Sequence, residues 1–325
     1  MTQQSLFEDF ENEEQSILDY IEKEADPTAA DIFAINAHKR ALDELFSVAS
    51  QFKKSKDYYE LLKFIAKFRT YSPFNAMLVR IQKPGAEFFI PASRWFKDYR
   101  RSIKPGAQPL VILQPMGPVM FVFDVSDTEP LENALPIPKS VENPFEVTSG
   151  KVDNSFKNLK ENVERDGIRI VATKSGSQSA GSIRSAAKGI KDTLVFSSGL
   201  DEQKRPIYEY IPVGYDLVIN ENLSDEAKFA TIIHELAHLY CGHLGTTNPK
   251  WWPDRRGLNH NLREFEAESV TYLVCSRAGI DNPSAEYLSN YIKANEDSPQ
   301  ISLECVMKCT GAIENMCRAK MKLRK

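Results

Sequence analysis

His234-Glu235-Leu236-Ala237-His238 is the stretch on which the reading of this chain turns, because two histidines four apart on one helix place both imidazoles on one face. The preceding residues 225–233 read as the start of that helix, with Ser224 or Asp225 as its cap. Paired imidazoles at this spacing supply two of the three protein ligands of a zinc site. Glu235 lies about 100° around the helix from His234, where a carboxylate reaches a water on the metal rather than the metal itself. That is the geometry of a general base.

H-E-x-x-H occurs by chance in on the order of one chain in a hundred of this length, so a third ligand has to decide. Residues 263–275 read as a second helix, apolar at Phe265, Val270, Leu273 and Val274. Glu264 and Glu268 share one face of it, and Glu266 points the other way. Glu264 is therefore expected as the third metal ligand, with Glu268 holding the N–H of a liganding histidine. Exchange of those two roles is the alternative. Glu266 is expected to be solvated. His243 follows Gly242, where the first helix is expected to end, and should leave the shared face for capping or packing. His260 reads either as a contact to a substrate carbonyl or as a surface histidine.

At 325 residues and 42% hydrophobic content the chain is long and apolar enough for two packed domains. No stretch approaches the about 20 apolar residues of a membrane span, and residues 1–9 lack a signal peptide's basic and apolar regions, so a soluble cytoplasmic protein with no membrane partner is expected. The five cysteines contain no C-x-x-C pair, as expected of thiols in a reducing compartment. Cys305 and Cys309, four apart on a predicted helix, are read as packing residues, with a second metal site as the alternative.

A net charge of −4 conceals a strong asymmetry. Residues 1–30 carry nine acids against Lys23 alone, whereas residues 53–104 carry thirteen Lys and Arg against four acids. A polyanionic partner is the natural inference for the basic segment. Aromatics from Phe64 to Tyr99 interleave with these bases, which suits stacking of nucleobases while Lys and Arg hold phosphates. Arg69, Trp95, Lys97, Arg100, Arg101 and Lys104 are the candidate DNA contacts, and residues 95–101 the favoured segment.

The fold class expected is α+β in two domains, one mixed α/β and DNA-binding, the other built around a small sheet and the H-E-x-x-H helix. Residues 1–30 read as an acidic flexible arm with a helix near 14–24, and residues 31–128 as the first domain, helical to about residue 68. Its strands are predicted at 110–113 and 119–125. Residues 129–150 hold Pro130, Pro136, Pro138 and Pro144 and read as a linker. Residues 151–310 form the second domain, with a helix at 154–165 and strands at 168–171, 193–196 and 215–219. Residues 175–181 read as a flexible loop and 311–325 as a basic tail.

Two resemblances follow from these residues. The second half resembles the ImmA/IrrE-type zincins: a strand, the H-E-x-x-H helix, then a helix carrying E-x-x-A-E, here Glu264-Phe265-Glu266-Ala267-Glu268. In that family the first glutamate of the second motif is the ligand, which implies Zn(2+) on His234, His238 and Glu264 with Glu235 catalytic. The first half resembles the N-terminal domain of ArdC-type antirestriction proteins. The residues are Tyr71-Ser72-Pro73-Phe74-Asn75, Trp95, Lys104-Pro105-Gly106-Ala107, and Val122-Phe123-Asp124-Val125-Ser126-Asp127-Thr128, with Asp127 where glutamine is usual. This resemblance implies single-stranded DNA as a partner, joined to a zinc metallopeptidase domain and often encoded on mobile elements.

Three readings stand: an ArdC-like antirestriction protein with a zinc peptidase site, a non-catalytic protein that shields single-stranded DNA and uses its zinc domain structurally, and a regulatory or crosslink-repair protease acting on DNA-bound proteins. In the peptidase readings His260 or Tyr272 stabilises the oxyanion. The strand at 215–219 is the expected edge for an extended peptide.

Overall fold

The computed structural model describes residues 55–114, 117–137, 152–174, 180–186, 192–200, 203–246, 248–280, 284, 288 and 301–323. The acidic arm, the helix near 14–24, residues 138–150 of the expected linker and most of the 175–181 loop lie outside them. The described residues divide into two compact units, one from 60–137 and one from 55–59 and 152–323.

The first unit holds most of α1 (Ser55–Lys67), then α2 (Pro73–Gln82), β1 (Phe89–Ile90), α3 (Ala92–Tyr99), β2 (Arg101–Ile103), β3 (Leu110–Gln114), β4 (Gly117–Asp124) and β5 (Thr128–Pro130). One sheet has the order β1-β4-β3, and β2 pairs with β5. Pro130, assigned to the linker by its composition, is thus the last residue of a strand that pairs with Arg101.

The residues that carry the first-half resemblance are structural latches. Ser72 caps α2 by accepting the Asn75 N–H at 3.2 Å. The Asn75 side chain then donates to the Leu113 carbonyl at 3.1 Å and accepts its N–H at 2.9 Å. Seven residues along the same helix, Gln82 makes the same two bonds to Val111, both at 2.8 Å. These two amides satisfy the open side of edge strand β3, a side otherwise free to pair with another chain. Tyr71 donates its hydroxyl to the Phe89 carbonyl at 2.6 Å.

Asp124 is buried and accepts the backbone N–H groups of Glu87, Phe88 and Ser126 together with the Ser126 hydroxyl. Burial pushes its pKa up, but these donors outweigh it and hold the carboxyl below its ordinary range. Asp127, in the place of the usual glutamine, accepts Lys83 at 2.7 Å.

The second unit contains α4 (Asp153–Arg165), β6 (Ile168–Thr173), β7 (Gly181–Ser185), β8 (Thr193–Leu200), β9 (Pro206–Pro212), β10 (Tyr215–Asn220), α5 (Asp225–Tyr240), α6 (His260–Ala278) and α7 (Leu303–Arg318). β8 and β9 form a two-stranded antiparallel ribbon. The other sheet has the order β6-β10-β7, with β10 parallel to β6 and antiparallel to β7. Strand 215–219 therefore lies in the middle, with both sides paired, and β6 and β7 are the edges. That corrects the expected docking edge; β7 is a short, polar segment whose pairing no local pattern announced.

α7 runs through residue 310, and Ile313 and Met316 on it are buried. Residues 311–318, read from their charge as a tail, are thus core helix, tied to α4 where the Asn162 amide donates to the Met316 and Ala319 carbonyls. Cys305 and Cys309 are buried in the same helix. Among the described residues, no helix is long and apolar enough to cross a membrane.

Candidate metal centre

Ser224 caps α5 by accepting the Ala227 N–H at 3.2 Å, and Asp225 and Glu226 in the first turn complement the helix dipole. The opposite face of α5 buries Phe229, Ile232, Ile233, Leu236 and Leu239. With that face fixed, His234, Glu235 and His238 turn towards a cleft of about 330 Å³. Asn259 caps α6 through the Leu262 N–H at 2.9 Å and starts the helix so that His260, Arg263 and Glu264 face the same cleft. β7 adds Gly181, Ser182 and Ile183 to the wall, and the turn after α5 adds His243 and Leu244. A Cβ on Gly181 would sit 2.6 Å from the Thr231 methyl and 2.8 Å from the Val218 carbonyl, so only glycine lets the strand start this close to α5.

His234 Nε2 stands 3.2 Å from His238 Nε2. Glu264 places Oε2 at 3.6 Å from the first and Oε1 at 3.4 Å from the second. Ligand atoms held tetrahedrally at about 2.0–2.1 Å from a metal lie about 3.4 Å apart, so the donor set fits a small divalent cation. These residues form one of two groups among the described residues able to hold a metal. The other, Cys241 with His243 and Glu266, already has a cation: Arg255 donates to both Glu266 oxygens at 2.6 Å.

Electrostatics favour positive charge at the first group. Burial lowers the His234 pKa, but Glu264, Glu268 and Glu235 outweigh it and raise it overall. The closeness of His234 and then His238 holds Glu264 well below the ordinary carboxylate range. Glu268 brings Oε1 to 3.7 Å from His234 Nδ1, the ring nitrogen turned away from the cluster. His260, 76% exposed, has Nδ1 at 3.5 Å from Glu264. Tyr272 is buried against Tyr59, and among the described residues the cleft lining includes His260 rather than Tyr272.

Glu266 departs most from expectation. It is 0% exposed, bound by Arg255, by the Ser302 N–H at 2.9 Å and by His243 Nε2 at 2.9 Å. Burial raises its pKa, and these three partners bring it below the ordinary value. The signal was present: Ser269, Val270 and Leu273, three, four and seven residues on, share its stripe and are all buried. His243 likewise stays beside His238, with Nδ1 to Nδ1 at 3.0 Å.

The candidate DNA contacts separate into two kinds. Trp95 is 0% exposed, with its indole N–H on the Phe123 carbonyl at 2.7 Å and its ring edge-on to Phe88. It is a core residue and presents no face to a base. Phe96 beside it is 57% exposed, and Lys97, Arg100 and Lys104 are exposed. Arg101 is partly committed to the Thr128 hydroxyl and carbonyl, and Lys104 donates to the Ser126 carbonyl at 2.8 Å. Arg69 is half-buried.

Fold and site define an α+β protein in which two helices and an edge strand enclose a potential metal centre. Residues 188–274 match the IrrE N-terminal-like domain family. An uncharacterized protein of Bacillus anthracis is 21% identical over 306 residues, covering 80% of this chain and 47% of that protein. The chain thus spans about half the length of the curated relative it matches. Among solved structures, the metal-free crystal structure of the antirestriction ArdC protein from plasmid R388 is 12% identical, covering 76% of this chain and 82% of that one at a TM-score of 0.32.

Proposed function

We infer that this chain is an ArdC-like antirestriction protein, binding single-stranded DNA through its first unit and hydrolysing peptide bonds at a zinc site in its second. The observation that carries the peptidase reading is the convergence of His234, His238 and Glu264 at tetrahedral spacing, with Glu235 in the same cleft. Two imidazoles and a carboxylate are a donor set suited to zinc with one position left open. Zinc held there supplies Lewis acidity and an acidified water.

The chain's own residues supply the rest. Glu235 takes a proton from the attacking water on its carboxylate and delivers it to the leaving amide nitrogen. β7, an edge strand among the described residues, offers its outer side to an extended substrate, with Gly181, Ser182 and Ile183 lining the cleft. His260 at the rim is the donor placed to meet charge developing on the carbonyl oxygen.

The DNA-binding part rests on the motif resemblance of the first half and on the exposed set Phe96, Lys97, Arg100 and Lys104, one ring among several cations. DNA-bound proteins are the natural substrates for such a pair of units. The test compares wild type with Glu235→Gln on DNA-bound proteins, with and without single-stranded DNA, with zinc measured in both. Cleavage lost in the variant while zinc is retained is expected. Cleavage by neither protein, despite bound zinc and tight DNA binding, would favour the non-catalytic shielding protein.

A further inference from the structure

Helix α5 ends in a turn that brings His243 back over His238. The Gly242 N–H bonds to the Leu239 carbonyl and the His243 N–H to the His238 carbonyl, both at 2.9 Å, with Gly242 at φ +79°. This is the Schellman closure, which returns the chain against the last turn instead of letting it leave. Only glycine serves at residue 242, since a Cβ there would lie 2.0 Å from the Pro253 carbonyl oxygen. Arg255 is tied to the same turn, its N–H on the Gly242 carbonyl at 2.9 Å and its guanidinium on the Cys241 carbonyl at 3.2 Å.

The hydrogen-bond directions then follow in order. Arg255 and the Ser302 N–H keep Glu266 an ionised acceptor, so His243 Nε2, 2.9 Å away, must carry the hydrogen it donates. A neutral His243 then has its lone pair on Nδ1, 3.0 Å from His238 Nδ1. His238 must therefore be protonated on Nδ1, which leaves the lone pair of Nε2 facing His234 and Glu264. Liganding histidines are usually held this way by a carboxylate or a carbonyl; here the holder is a second histidine that passes the interaction to a buried glutamate.

We propose that His243, backed by Glu266 and Arg255, is a positioning residue that fixes His238 in the tautomer and ring orientation needed to bind the metal through Nε2. The inference rests on the metal-site reading given under Proposed function. It explains why two buried polar side chains, His243 and Glu266, with the partly exposed Arg255, are kept next to the ligands.

The test uses the full chain with His243→Leu and His243→Gln, the second keeping an acceptor and a donor on one side chain. Zinc affinity is measured by chelator competition, and the tautomer of His238 by long-range 1H–15N NMR on metal-stripped protein at a pH where the imidazoles are neutral. We expect His243→Leu to bind zinc about 10–100-fold more weakly, His243→Gln to recover most of the loss, and wild-type His238 to carry its proton on Nδ1. Unchanged affinity in a folded His243→Leu protein, or wild-type His238 protonated on Nε2, would overturn the proposal and leave the metal site standing. Absence of zinc binding by the wild type itself would instead remove the metal-site reading, and the clamp's purpose with it, whatever the tautomer.

Discussion

Arg255 grips both carboxylate oxygens of Glu266 at 2.6 Å, inside the second unit and directly behind the candidate ligands. Neither group reaches the cleft lining, so the pair belongs to the frame that holds the site. Removing one partner of a buried ion pair costs about 3–5 kcal/mol, most of it from the charge left uncompensated. Arg255→Leu should destabilise the protein by that order, and Arg255→Leu with Glu266→Leu by clearly less than the sum of the single changes. Urea unfolding of the four proteins checks this; additive losses would show that the two side chains do not act as a pair.

Glu235 and the ligands should separate under mutation. His234→Ala and His238→Ala are expected to lose bound metal, while Glu235→Gln keeps it and loses about 10²–10⁴-fold in hydrolysis, the usual contribution of a positioned general base. Metal analysis and rate measurements on the same preparations decide; loss of metal from Glu235→Gln would place that carboxylate among the ligands.

Asp124 gives the first unit a defined acid sensitivity. Its folded pKa is depressed, so the stability it contributes is present above the unfolded value of about 3.9 and is lost as pH falls through the lower folded value. Asp124→Asn leaves at least one buried donor unpaired and should cost about 1–3 kcal/mol at neutral pH. That difference from wild type should shrink below about pH 4. A difference independent of pH in chemical denaturation would mean that the carboxylate charge is not what the four donors hold.

The first unit also separates core from surface. Trp95→Ala should cost about 3–5 kcal/mol of stability, as expected for truncating a fully buried aromatic. Lys97→Ala with Arg100→Ala should leave stability within about 0.5 kcal/mol. The double change should weaken binding of single-stranded DNA and flatten its salt dependence. Thermal melts beside binding titrations at several salt concentrations test both halves.

The site was legible to different depths. His234 and His238 could be placed on one face because helical periodicity decides which side chains share it, whereas the same periodicity left Glu264 and Glu268 equivalent. The latches in the first unit were visible as motif letters, but not as Asn75 and Gln82 clamping Leu113 and Val111, a pairing that depends on where a distant strand comes to rest. Trp95 was misread because aromatics between cations suit a core and a stacking platform equally, and burial is decided by tertiary packing. Glu266 and His243 were missed for a related reason. A carboxylate on an apolar stripe reads as solvated unless its guanidinium partner is known, and the helix end expected at Gly242 folds His243 back against His238 instead of letting it leave the shared face.

The most direct test of the account is metal stoichiometry in wild type, Glu264→Ala and Glu268→Ala, purified and loaded with zinc in parallel. The account predicts one equivalent in wild type, close to none in Glu264→Ala, and a full but weaker site in Glu268→Ala. Zinc retained by Glu264→Ala and lost from Glu268→Ala would contradict it.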